Sequence, residues 1–165
     1  MRLNYVVLAS LLVGTSLAVA QPAALPPIDP GSIPAQCQGV TSVPADAKIA
    51  TPALAARVAL ATCGAQARFT ALKLTPDDAG VKALNDAVAP SLSLLDDVIK
   101  ANDSALSPIA AKAKADLYVS MAVRLRNSIA PITMQTVGTA LQDHDQAHAA
   151  LEPKIKPWLD AATAK

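Results

Sequence analysis

This chain of 165 residues has few aromatic residues and a single glutamate, and neither sign of charge is in clear excess. Phe, Trp and Tyr together make up 2% of it, and 14 basic residues face 13 acidic ones. A near-neutral chain without a basic run lacks the electrostatic footprint of nucleic-acid binding, and it predicts no strong attraction to anionic membranes. Because aromatic side chains are few, the core must come from Leu, Val, Ile and Ala, and alanine buries little area.

Residues 1–20 have the pattern of a cleaved secretory signal peptide. Arg2 supplies the positive charge, an apolar run follows, and the segment ends in the small-residue sequence Ala18-Val19-Ala20. The apolar run is too short to predict a membrane-spanning helix, and an uncleaved N-terminal anchor is the alternative. We expect an exported protein, periplasmic or extracellular, that begins at Gln21. Without Arg2 it carries 13 basic and 13 acidic residues.

Cysteine is limited to two positions, Cys37 and Cys63. Their spacing matches no CxxC redox motif, haem attachment or zinc ribbon. Because an exported chain meets an oxidising environment, the pair predicts one structural disulfide. Closing a loop of this length should stabilise the fold by about 3 to 4 kcal/mol on the chain-entropy model.

Proline divides the rest of the chain into an arm and a helical domain. Residues 21–50 hold six prolines, so this segment cannot sustain a helix and is expected to be an extended arm that is fixed at Cys37. Residues 51–165 are rich in alanine, and their apolar residues recur every three or four positions, as in amphipathic helices. No segment alternates as a β-strand does.

Hydroxyl residues followed by proline mark helix starts at 51–52, 75–76 and 107–108. They predict helices over about 52–74, 76–101, 108–129 and 133–152, and a short C-terminal piece over 157–163. Pro90 predicts a kink or a break in the second helix, and Pro153 and Pro157 should end the fourth near Leu151. Four amphipathic helices with short connections predict an all-α fold, an antiparallel four-helix bundle made of two helical hairpins.

His144 and His148, the two histidines of the chain, lie one helical turn apart. On a helical wheel they share the apolar stripe with Leu141 and Leu151, and Asp145 lies at its rim. Two histidines at this spacing can chelate a transition metal such as zinc or copper, with Asp145 as the nearest carboxylate. The alternative is structural, with two imidazoles hydrogen-bonded at the edge of the core.

A complete metal site needs further ligands that the same helix does not supply. There is no HExxH motif, so another helix would have to provide an aspartate, or water would take its place. The candidate aspartates are Asp86, Asp96, Asp97 and Asp116. Haem held by histidine and by Met121 or Met134 would be a second cofactor, but no CxxCH is present.

Signatures of catalysis are lacking. The chain has no GxSxG elbow and no glycine-rich phosphate loop, and Arg124 and Arg126 are too close in sequence to point the same way on a helix. We therefore expect an exported small helical binding or scaffold module, not an enzyme, whose partner is a protein or a cell-envelope component. The alternative function is a metal-binding bundle that uses His144 and His148.

Overall fold

The computed structural model describes residues 25–29, 31, 33–40, 52–130 and 139–164. This part of the chain contains four α-helices, a short 3-10 helix and no strand, which confirms the all-α prediction. The α-helices are α1 (Pro52–Ala71), α2 (Asp78–Lys100), α3 (Leu106–Arg126) and α4 (Thr139–Thr163), and the 3-10 helix is Ala35–Cys37. The predicted leader, residues 1–20, lies outside the described residues. Among the described helices, none combines the length and the apolar character needed to cross a bilayer.

Helices α1, α2 and α3 form an antiparallel bundle in chain order. Arg57 near the start of α1 pairs with Asp97 near the end of α2, with 3.0 Å between Nη1 and Oδ2. Lys114 of α3 forms an ion pair with Asp96 of α2, with 2.6 Å between Nζ and Oδ1. The core between the helices is mainly aliphatic, as the composition predicts. Its buried members are Leu54, Ala61, Ala65, Phe69, Leu84, Val88, Leu95, Val98, Leu106, Ala110, Leu117, Met121, Ala122, Leu125, Leu151, Ile155 and Trp158.

Aspartate side chains, not hydroxyl groups, accept hydrogen bonds from backbone N–H groups at the starts of two helices. Asp77 Oδ1 accepts a hydrogen bond from Gly80 N at 3.0 Å, and α2 begins at Asp78. Asp103 Oδ1 accepts from Leu106 N at 2.9 Å, and α3 begins there. The two helices begin two residues from the predicted starts at about 76 and 108, because a carboxylate close by in the chain competes with the hydroxyl for the free N–H groups.

Proline does not interrupt the helices in the way that we predicted. Helix α2 continues through Pro90 as one helix, so of the two predicted alternatives, a kink or a break, the break does not occur. Helix α4 likewise continues through Pro153 and Pro157 to Thr163, so its predicted end near residue 151 and the separate piece at 157–163 are also wrong.

The reason for the uninterrupted α4 lies in its two faces. Pro153 and Pro157 are one turn apart on the exposed face, where water can solvate the carbonyls that they leave free. The opposite face is buried against the bundle through Leu151, Ile155 and Trp158. Burial of three large side chains, at about 1.5 to 3 kcal/mol each, offsets a cost of about 3 kcal/mol for each proline.

Helix α4 is shifted along the bundle axis relative to the other three. Glu152 pairs with Arg126, the last residue of α3, and Lys154 pairs with Asp78, the first residue of α2. Further along, Trp158 Nε1 donates to Asn85 Oδ1 at 3.1 Å, so α4 runs parallel to α2. Residues 139–150 therefore extend beyond the ends of α2 and α3, by about 18 Å at 1.5 Å per residue. We call them the projecting half of α4.

Among the described residues, a disulfide and a hydrogen bond attach the arm to the bundle, and Leu25 packs against the core. The Cys37–Cys63 disulfide is present, which confirms the sequence prediction. Nearer the N-terminus, the buried Arg57 guanidinium donates to the carbonyl oxygen of Pro26 while it also pairs with Asp97. We call the described parts of the arm, 25–29 and 33–40, the strap. It lies over α1 and α2, where Ile33 and Pro34 line a small cavity with Leu60, Pro90 and Leu94.

Candidate histidine site on helix α4

The two histidines lie in the projecting half of α4 with their rings in contact. The ring centroids are 4.5 Å apart and the ring planes are inclined by 62°, an edge-to-face arrangement. Both side chains are half-buried, and 25% of the His144 side chain is exposed. The pair lies on the same face of α4 as Leu151 and Ile155, which are buried further along the helix.

Leu141 does not belong to a buried stripe, contrary to the prediction from the helical wheel. It is 54% exposed. A helical wheel gives the direction of a side chain around the helix axis. It does not show where along that axis the neighbouring helices end. Because α4 is shifted along the axis, its first turns have no neighbour in α1, α2 or α3 to pack against.

Carboxylates lie near both imidazoles, although neither is a ligand in this geometry. Asp145 Oδ1 is 3.8 Å from His144 Nδ1, which is too far for a hydrogen bond, and 75% of its side chain is exposed. Glu152, one turn after His148, is held instead by Arg126 of α3. The two bonds of that pair, Nε to Oε1 and Nη2 to Oε2, measure 3.0 and 2.8 Å.

The Arg126–Glu152 pair is the electrostatic feature beside the site that the sequence did not indicate. The hydrogen bond from Arg126 is the main reason why the pKa of Glu152 lies below its ordinary value, and the nearby charges of Arg126 and His148 act in the same direction. The same hydrogen bond raises the pKa of Arg126. The available signal was that the only glutamate follows a histidine by four residues, but its partner lies 26 residues away in the chain.

The aspartates considered as further metal ligands do not reach the histidines. Each forms an ion pair elsewhere on the bundle: Asp86 with Lys82, Asp96 with Lys114, Asp97 with Arg57 and Asp116 with Lys112. Within the described residues, no three His, Cys, Asp or Glu side chains form a group that could hold a metal. Asp145 therefore does not complete a three-ligand set with the two histidines in this geometry.

The methionines considered as haem ligands do not support a haem site. Met121 is completely buried among the aliphatic side chains of the core, and Met134 lies outside the described residues. What the structure places together is a pair of imidazoles on one face of one helix. Such a pair can offer a ligand two nitrogen donors, with the remaining coordination positions open.

The two arginines near the end of α3 have different partners. The Arg124 guanidinium stacks over the Phe69 ring, 4.5 Å from its centroid, whereas Arg126 pairs with Glu152 on α4. They therefore form no clamp for an anion, in agreement with their spacing on the helix. Both stabilise contacts between helices.

Comparison of the chain with known proteins gives no relative. No family model matches it, and neither a curated protein nor a solved structure does so. The function is therefore inferred from the geometry of the helices and the chemistry of their side chains.

Proposed function

We propose that the chain is an exported helical module that binds a protein or another component of the cell envelope through the projecting half of α4. The observation that carries this proposal is the axial shift of α4. Its C-terminal half is fixed to the bundle through Leu151, Ile155 and Trp158, whereas its N-terminal half extends past α2 and α3. A helix that is held at one end and extends past α2 and α3 at the other presents its exposed side chains, such as those of Leu141 and Gln146, to a partner.

The chemistry of the projecting half favours recognition of a folded partner or a peptide. Leu141 and Ala149 contribute apolar surface, and Gln142 and Gln146 contribute amides that both donate and accept hydrogen bonds. These residues, with Asp145, line one shallow surface. Protein interfaces combine apolar and hydrogen-bonding groups in this way.

Export is supported by two independent features. The first is the leader pattern of residues 1–20, which ends in Ala18-Val19-Ala20. The second is the Cys37–Cys63 disulfide, since such bonds persist in oxidising compartments. A binding module outside the cytoplasm also benefits from the strap, which ties the arm to a bundle whose core is rich in small residues.

Site-specific photocrosslinking tests the proposed binding surface. A photoreactive amino acid at Gln146, introduced into the full-length chain in cells that naturally produce it, should yield a discrete crosslinked adduct on irradiation. The matched control is the same amino acid at Ala111, which is exposed on α3 in the half of the bundle away from the projecting half. The control position should give no such adduct.

The comparison between crosslinking at Gln146 and at Ala111 decides whether the proposal holds. An adduct at both positions would indicate unspecific proximity, and the absence of any adduct at Gln146 would contradict the proposal. Circular dichroism of both variants should show the helix content of the unmodified chain, so that a negative result at Gln146 cannot come from unfolding.

A further inference from the structure

We propose that His144 and His148 form a two-histidine chelate for a divalent transition metal, with copper(II) as the preferred ion. This inference goes beyond the proposed function, because it requires no macromolecular partner. The one-turn spacing and the contact between the rings carry it. An ion about 2.0 to 2.1 Å from one nitrogen of each ring places the ring centres on the order of 4.5 to 5 Å apart. The observed separation is 4.5 Å.

The donor set indicates which ions fit. Imidazole nitrogen suits copper, nickel and zinc, and affinity for divalent ions rises to a maximum at copper(II). The described residues supply no softer sulfur ligand, because both cysteines are in the disulfide and Met121 is buried in the core. The tetragonal geometry of copper(II) can accept two neighbouring imidazoles and leave positions for water.

The carboxylate near His144 can orient its imidazole without acting as a ligand. Asp145 is mostly exposed and lies 3.8 Å from His144 Nδ1, so a small side-chain movement makes a hydrogen bond that leaves Nε2 for the ion. Such a carboxylate neighbour fixes the tautomer and orientation of a metal-bound histidine. Glu152, one turn beyond His148, is held to Arg126 through both of its oxygens.

The half-buried position of the pair favours an exchangeable ion. The histidines lie beyond the ends of α2 and α3, where the bundle does not enclose them. With two protein ligands and open positions, the site should bind and release copper(II) without unfolding of the bundle.

Copper(II) titration of the untagged mature chain tests the site. Isothermal titration calorimetry should show one ion per chain, and pulsed electron paramagnetic resonance should show two coordinated imidazoles. His144→Ala and His148→Ala should each weaken binding by at least the roughly 10- to 100-fold that loss of an orienting neighbour costs at metal sites. Because the chain has only two histidines, the double variant should lose imidazole coordination completely.

A rearranged variant is the matched control for histidine content. His148→Gln combined with Gln146→His keeps two histidines but places them two positions apart, on different sides of α4. It should bind copper(II) as a single-histidine variant does. Binding as tight as that of the unmodified chain, or a spectrum with one imidazole for the unmodified chain, would overturn the inference. Neither result would affect the crosslinking at Gln146, so the two proposals fail separately.

Discussion

Gly80 is the residue on which the junction between α1 and α2 depends. Its N–H donates to Asp77 Oδ1, and a Cβ built on it would collide with the Thr75 carbonyl oxygen and lie 3.0 Å from a Leu125 methyl group. The Thr75 hydroxyl also donates to Asp77, and this bond, followed by that from Gly80, lowers the pKa of Asp77. The backbone is therefore packed too tightly here for a side chain.

We expect Gly80→Ala to destabilise the protein although alanine is the better helix former. The collision is with backbone atoms, which cannot rotate away, so the free energy of unfolding should fall by about 1 to 3 kcal/mol, the usual cost of overpacking. Urea denaturation followed by circular dichroism measures the change. Gly64→Ala is the matched control, because the atom nearest its Cβ, at 2.9 Å, is the far end of the flexible Arg68 side chain. An equal loss in both variants would contradict this explanation.

Individual residues could be predicted from the sequence where the interaction is local. The contact between His144 and His148 follows from their spacing, and the disulfide follows from the cysteine count. The sequence favours Thr75 as the cap of α2, whereas Asp77 fills this position in the structure, because propensities alone do not rank two neighbouring candidates. The Arg126–Glu152 pair could not be predicted from the sequence, since it depends on how α3 and α4 align.

The strap is the element whose contribution to stability can be isolated. Replacing both cysteines, Cys37→Ser with Cys63→Ser, should remove about 3.5 kcal/mol on the chain-entropy model for the 26-residue separation. For a domain of this size that corresponds to a melting temperature lower by about 10 °C or more. Calorimetry of the unmodified chain and of the double variant measures the difference.

Reduction of the unmodified chain provides the control for the double variant. Its melting temperature in reductant should match that of the variant, whereas reductant should leave the variant unchanged. An unmodified chain that melts at the same temperature with and without reductant would show that Arg57 and the other strap contacts suffice without the disulfide.

Helix number and type followed from the sequence, but the proline rules placed the end of α4 wrongly. Apolar residues at intervals of three and four predicted four helices, and four are present among the described residues. These rules consider only the effect of a proline on the backbone next to it. In α4 the exposed position of Pro153 and Pro157 and the burial of the opposite face decide that the helix continues.

The axial position of α4 is the feature of the whole molecule that the sequence could not reveal. Periodicity fixes which face of a helix is apolar, but not how far the helix slides along its neighbours. The contacts that set the alignment, from Lys154 to Asp78 and from Trp158 to Asn85, join positions more than 70 residues apart. The proposed binding surface exists only because of that alignment.

Hydrogen exchange across α4 should reveal this alignment in solution. Amides of residues 143–149 have only the hydrogen bonds of their own helix, and an isolated stretch of this length is marginally stable in water. Amides of 151–160 lie where Leu151, Ile155 and Trp158 are buried, so they should exchange much more slowly. Mass spectrometry of peptides from the protein measures both regions, with residues 84–98 of α2 as a protected reference. Equal protection of 143–149 and 151–160 would mean that the projecting half is covered, and the proposed surface would then not be available to a partner.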